Sequence, residues 1–126
     1  MTATRKILTG LATVAAATAL GVTGAATASA QQYGSFPLSP GQGACSGAQY
    51  ANYQVRADGW ATAGGAKFKL LRNGYVVANS PTRVNAWSAQ LSGWTFPGAG
   101  YYTVCAQNTG TTNTIATLQL LTDAEF

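Results

Sequence analysis

The 126-residue chain carries seven Lys and Arg against three Asp and Glu, and it has no histidine. That composition excludes a His-centred catalytic or metal site. The length holds one domain and too little chain for two.

Residues 1–30 read as a secretory leader: Arg5 and Lys6 open it, an apolar run follows from Ile7 to about Ala26, and Ala28-Ser29-Ala30 supplies the small side chains that signal peptidase needs. The run is rich in Ala, Thr and Gly, with only Ile7, Leu8, Leu11, Val14, Leu20 and Val22 strongly apolar, which argues against a membrane anchor. Cleavage after Ala30 removes 30 of the 126 residues and leaves 96. The product is expected to be secreted, extracellular, monomeric and free of the membrane. Its charges are Arg56, Lys67, Lys69, Arg72 and Arg83 against Asp58, Asp123 and Glu125, a net +2. Scattered cations of this kind do not make the basic cluster that nucleic acid requires.

After the leader, residues 31–48 are rich in Gly, Ser, Pro and Gln, with Tyr33, Phe36 and Leu38 as apolar anchors. This segment is expected to be flexible and to end in one irregular edge strand. Cys45 and Cys105 are an even pair in a small exported chain, so one disulfide is expected between them. Residues 49–126 are expected to form the β-sandwich domain. Short β-branched and aromatic runs alternate there with Gly, Asn, Ser and Pro clusters about every ten residues. The runs place strands near 50–57, 65–72, 75–79, 83–91, 101–108 and 113–121. Asn73-Gly74 supplies the two positive-φ positions of a tight hairpin between Ala66–Leu71 and Tyr75–Ala78. Pro97-Gly98-Ala99-Gly100 makes a second turn.

Pro97-Gly98, Tyr102-Thr103-Val104 and Asn108, together with Leu70-Leu71-Arg72-Asn73-Gly74, resemble the turn and strand pattern of bacterial immunoglobulin-like domains over about sixty residues. The resemblance implies a single immunoglobulin-like antiparallel sandwich whose last strand closes a hairpin. The cysteines depart from it. Alternation puts Tyr102, Val104 and Ala106 on the apolar face of their strand and Cys105 on the other, so the bridge is expected outside the core.

General acid-base chemistry needs His or a pair of carboxylates in contrasting environments. Asp58, before Gly59, reads as a turn former, and Asp123 and Glu125 fall in a frayed tail. No catalytic residue, cofactor or metal ligand is therefore assigned. All thirteen aromatics lie beyond residue 30, more than one small core needs. Trp87 or Trp94 is expected to be the central core residue. Trp60, in a loop-like stretch, is expected at the surface with Tyr50 or Tyr53. The candidate contact residues are Trp60, Tyr50, Tyr53, Trp87, Trp94 and Tyr75, the last beside the Arg72-Asn73-Gly74 turn. These point to a non-catalytic module that binds a polysaccharide, a wall component or a surface protein. The alternative is an inhibitor of an extracellular enzyme that uses the Arg72–Tyr75 turn. A third reading, carriage of an apolar small molecule between the sheets, is similar in size and class to the antibiotic-carrying apoproteins but lacks their cysteine spacing.

Overall fold

The computed structural model describes residues 32–126, so the expected leader lies outside the described residues. The strands are β1 (Gln32–Leu38), β2 (Gly43–Cys45), β3 (Gln49–Ala51), β4 (Gln54–Ala61), β5 (Lys67–Arg72), β6 (Tyr75–Asn79), β7 (Ala86–Ser92), β8 (Gly100–Gln107) and β9 (Thr114–Thr122). They form two antiparallel sheets. One has the order β1-β9-β4-β7, and the other runs β2-β8-β5-β6 with β3 also paired to β8. The fold is the all-β sandwich expected, with the Cys45–Cys105 disulfide in place.

Strict alternation builds the core. In β9, Ala116, Leu118 and Leu120 are buried while Ile115 reaches solvent; in β8, Tyr102, Val104 and Ala106 are buried while Tyr101 and Gln107 are exposed. Val55 and Ala57 of β4 and Phe68 and Leu70 of β5 complete the interior from the two central strands. Trp87 packs from β7, stacking on Phe68 with ring centroids 5.9 Å apart and planes 6° from parallel. Trp87 is half-buried against the core from an edge strand, and the largest fully buried side chains are Tyr102 and Phe68, so neither Trp87 nor Trp94 is the central core residue expected.

Four other local expectations are corrected. Residues 31–48 were expected to be flexible with one edge strand, but the segment supplies β1 to one sheet and β2 to the other. β1 pairs with β9 over seven positions, Leu38 opposite Thr114 through Gln32 opposite Leu120. Pro37 is tolerated because β1 is an edge strand, where a missing N–H costs no ladder bond on its open side. Next, Asp58 is no turn former and Trp60 is in no loop: both lie in β4. The Asp-Gly pair reads as a turn, yet Gly59 serves packing, since a Cβ there would stand 2.4 Å from the Phe68 ring. The ring lies against bare backbone. Third, β8 and β9 belong to different sheets, so the last strand pairs with β1 and β4 and the implied hairpin is not formed.

Fourth, Asp123 is not frayed. Its carboxylate accepts hydrogen bonds from the Asn52 N–H at 2.8 Å, the Tyr53 N–H at 2.9 Å and the Asn52 side-chain amide at 3.2 Å. These bonds tie the end of β9 to the β3–β4 turn.

The cysteines lie where alternation places them. Cys45 of β2 stands directly opposite Cys105 of β8 on the outer face of the five-stranded sheet. Tyr102, fully buried, donates its hydroxyl to the Gly98 carbonyl at 2.6 Å, the corner contact typical of sandwiches whose tyrosine and cysteine are two residues apart. Here the separation is three. That single extra step turns the cysteine outward while the tyrosine stays in.

Candidate binding surface

The loops divide between the two ends of the sandwich. At one end are β1–β2, β4–β5, β6–β7 and β8–β9, which span residues 39–42, 62–66, 80–85 and 108–113 and contain no aromatic residue. At the other end are the β3–β4 turn with Tyr53, the Asn73-Gly74 turn leading to Tyr75, the β7–β8 loop with Trp94, and the segment after β9. The register brings these together, because Ala51 pairs with Gly100, Gln54 with Ser92, and Arg72 with both Tyr75 and Tyr102.

This second end is the aromatic end. Trp94 is 96% exposed and Tyr75 79%, and Tyr101, Tyr53 and Tyr50 follow at 58%, 54% and 41%. Tyr50 and Tyr101 meet edge to face with centroids 5.0 Å apart, near this end on the outer face of the five-stranded sheet. Four of the six residues singled out in the sequence therefore gather at one end. The other two do not: Trp87 faces the core, and Trp60, 43% exposed, lies on the outer face of the four-stranded sheet near its opposite end. Tyr101 was missed. Its place in an alternating strand opposite Tyr50 was the signal for it, but the pairing of β3 with β8 is not legible in sequence.

Each loop that carries an exposed ring is fixed by side-chain to backbone hydrogen bonds. Asp123 holds the Asn52-Tyr53 turn, as described above, and the Gln54 amide donates to the Asp123 carbonyl. Partial burial works against ionisation of Asp123, but the hydrogen bonds from Tyr53, Asn52 and Gln54 outweigh it and hold the carboxyl below its ordinary range. Arg72 clamps the β7–β8 loop, donating through Nε to the Gly98 carbonyl at 3.1 Å and through Nη2 to Ala99 at 2.9 Å. Only glycine fits at position 98. Its φ is +131°, and a Cβ would come 3.1 Å from the guanidinium. Asn73, at φ +50°, accepts the Tyr101 N–H on its Oδ1 at 3.0 Å and joins the hairpin turn to β8. Within the β7–β8 loop, Thr95 Oγ1 accepts from the Ser92 N–H and donates to the Ser92 carbonyl, while Phe96 turns inward to stack on Tyr102 at 5.8 Å. Burial raises the Tyr102 hydroxyl pKa and the Arg72 charge offsets part of that rise, so the phenol stays a donor.

The described side chains of this end are mostly neutral. Arg72 and Asp123 are both engaged by the backbone, and aromatic rings with their phenol and indole groups make up much of what faces outward. Such groups make large contacts at low entropic cost. The outer face of the four-stranded sheet differs. There Arg56 Nε lies 3.1 Å from Asp58, which is only 5% exposed, and Trp60, Ser88 and Gln119 share the face by register. The two aspartates are thus occupied separately, Asp58 with Arg56 and Asp123 with the turn. Among the described residues no three His, Cys, Asp or Glu side chains gather to hold a metal ion.

An open groove of about 560 Å³ lies at the aromatic-free end, lined by Pro37, Leu38, Ser39, Thr62, Asn113, Thr114 and Ile115. It has no titratable side chain. Among the described residues no helix is long and apolar enough to cross a membrane. Compared with known proteins, the chain matches no family model and no curated protein.

Proposed function

We propose that the chain is an exported, non-catalytic binding module that grips a surface partner, a protein or a wall polysaccharide, with its aromatic end. One observation carries this reading: exposed Trp94, Tyr75, Tyr53, Tyr101 and Tyr50 cluster at a single end, on its loops and the adjoining strand ends, and Arg72, Asn73 and Asp123 tie those loops down. Exposed rings on restrained loops lose little freedom when they bind, so more of their contact energy appears as affinity. The rings come from several separate segments of the chain: Tyr53, Tyr75, Trp94 and the Tyr50–Tyr101 pair. Rings spread over several segments suit a protein surface, and the exposure of Tyr75 also supports the inhibitor reading, in which its turn enters a partner's cleft.

Co-sedimentation with insoluble cell-wall and plant polysaccharides, and capture on immobilised extracellular proteases and glycosidases, test the two partner classes side by side. Trp94→Ala should weaken whichever binding is found by at least about tenfold, the cost of losing a hot-spot ring. Trp60→Ala should leave it unchanged. Binding lost with Trp60→Ala and kept with Trp94→Ala would move the site to the sheet face and contradict the proposal.

A further inference from the structure

We infer that the Cys45–Cys105 disulfide is a site of directed thiol exchange, at which a small external thiol becomes attached to Cys45 while the protein stays folded. The bridge lies on the outer face of the five-stranded sheet, in a groove of about 370 Å³ lined in part by Gly43, Lys69, Leu71 and Gln107. Cys45 is exposed and Cys105 half-buried. Exchange proceeds by attack along the sulfur–sulfur axis, on the side away from the departing sulfur, and access selects which sulfur is struck. Because β2 is an edge strand, no further strand of this sheet lies on the side of Cys45 away from Cys105, and Cys45 is exposed. On the other side of Cys105 lies β5, where Lys69 stands directly across from Cys105 and Leu71 directly across from Thr103.

The step balances as follows. A thiolate from the external thiol attacks Cys45 Sγ, the new sulfur–sulfur bond forms there, and the old bond breaks with its electron pair going to Cys105 Sγ. The external sulfur is oxidised to its half of a mixed disulfide and Cys105 is reduced to a thiolate. Residues directly opposite each other on paired strands bring their Cβ atoms to about 5 Å, so the exposed Lys69 ammonium reaches the departing sulfur and stabilises its charge. Strand β2 stays in place after the bond opens. Ser46 bonds Val104 through both its N–H and its Oγ, at 2.8 and 3.1 Å, and on the other side the Asn108 N–H donates to the Gln42 carbonyl at 2.9 Å. The liberated Cys105 thiolate is thereby kept beside Cys45, ready to restore the bridge.

The test uses the oxidised protein and 2-mercaptoethanol, a neutral thiol whose approach Lys69 does not steer. After an acid quench and alkylation, peptide mapping should find the adduct on Cys45 and the alkyl label on Cys105, with a rate first order in thiol. With the leaving charge about half developed at the transition state, Lys69→Met should slow the reaction about twofold to threefold. Thermal melting of Lys69→Met within a degree or two of the parent shows that the change is not one of stability. Adduct shared equally between the two cysteines, a rate independent of thiol concentration, or an unchanged rate in Lys69→Met would each overturn the inference.

Discussion

The two ends of the sandwich are fastened by the same device and carry opposite surfaces. At the aromatic-free end, buried Asn108 donates to the Leu38 carbonyl at 3.0 Å and the Thr112 carbonyl at 2.8 Å, and its Oδ1 accepts from the Gly110 N–H at 2.9 Å. Buried Ser80 likewise accepts from the Phe68 N–H and donates to the Thr82 carbonyl. The loops they hold are made of Ser, Thr, Gly, Ala, Pro and other small or polar residues, and they present little to a partner. At the aromatic end, Asp123, Arg72 and Asn73 pin loops that bear or adjoin exposed rings. Pinning alone is explained by the cost of leaving backbone groups unpaired. Pinning together with costly exposed aromatics needs another reason, and the proposed binding role would supply one.

Four variants sharpen or break this contrast. The largest effect is expected from Cys45→Ser with Cys105→Ser, which removes a bridge spanning 60 residues. Loss of about 2 to 5 kcal/mol is expected in urea denaturation, because the unfolded chain regains the entropy of an open loop. Binding by the fraction still folded should be unaltered. Next is Asn108→Ala, which strands buried carbonyls at the aromatic-free end and should cost about 2 to 3 kcal/mol by the same assay. If it also abolishes binding in the folded protein, the two ends do not act separately.

A smaller loss, about 1 kcal/mol, is expected for Asp123→Ala, since its three acceptor contacts are partly open to solvent. Here pH gives an independent reading. The folded-state pKa of Asp123 is depressed, so its stabilisation is complete above the unfolded value, about pH 4, and is lost as pH falls through the lower folded value. The stability gap between parent and Asp123→Ala should therefore be full at neutral pH and shrink below about pH 4. A gap that persists undiminished in acid means that the carboxylate charge is not what holds the turn. The smallest stability effect belongs to Trp94→Ala, expected within about 0.5 kcal/mol because the ring is almost fully solvated. The same change should produce the largest loss of binding.

Alternation made much of the sandwich legible. The middle hairpin, β8 and β9 lie within one or two residues of their expected places, and the outward face of Cys105 followed from counting along β8. What escaped depends on partners distant in sequence. β1 looks like a linker because Gly34, Ser35 and Pro37 have low strand propensity, and its conformation is enforced by pairing with β9 some eighty residues later. Gly59 has the look of a turn residue when it is the bed for the Phe68 ring. The candidate site was half legible. Composition showed a surplus of aromatics, but only the fold separates Trp87, stacked against the core, from Trp94, standing in solvent, as their flanking residues are alike in polarity.

The claim that the aromatic end makes the contact is tested most directly by fluorine NMR on protein labelled with 5-fluorotryptophan. Three resonances, assigned with Trp60→Phe and Trp94→Phe, would report the sheet face, the core and the aromatic end in one folded sample. On titration with a binding fraction from the co-sedimentation or capture assays, the Trp94 resonance should shift or broaden first while those of Trp60 and Trp87 hold still. Movement of the Trp60 resonance with Trp94 unchanged would contradict the account.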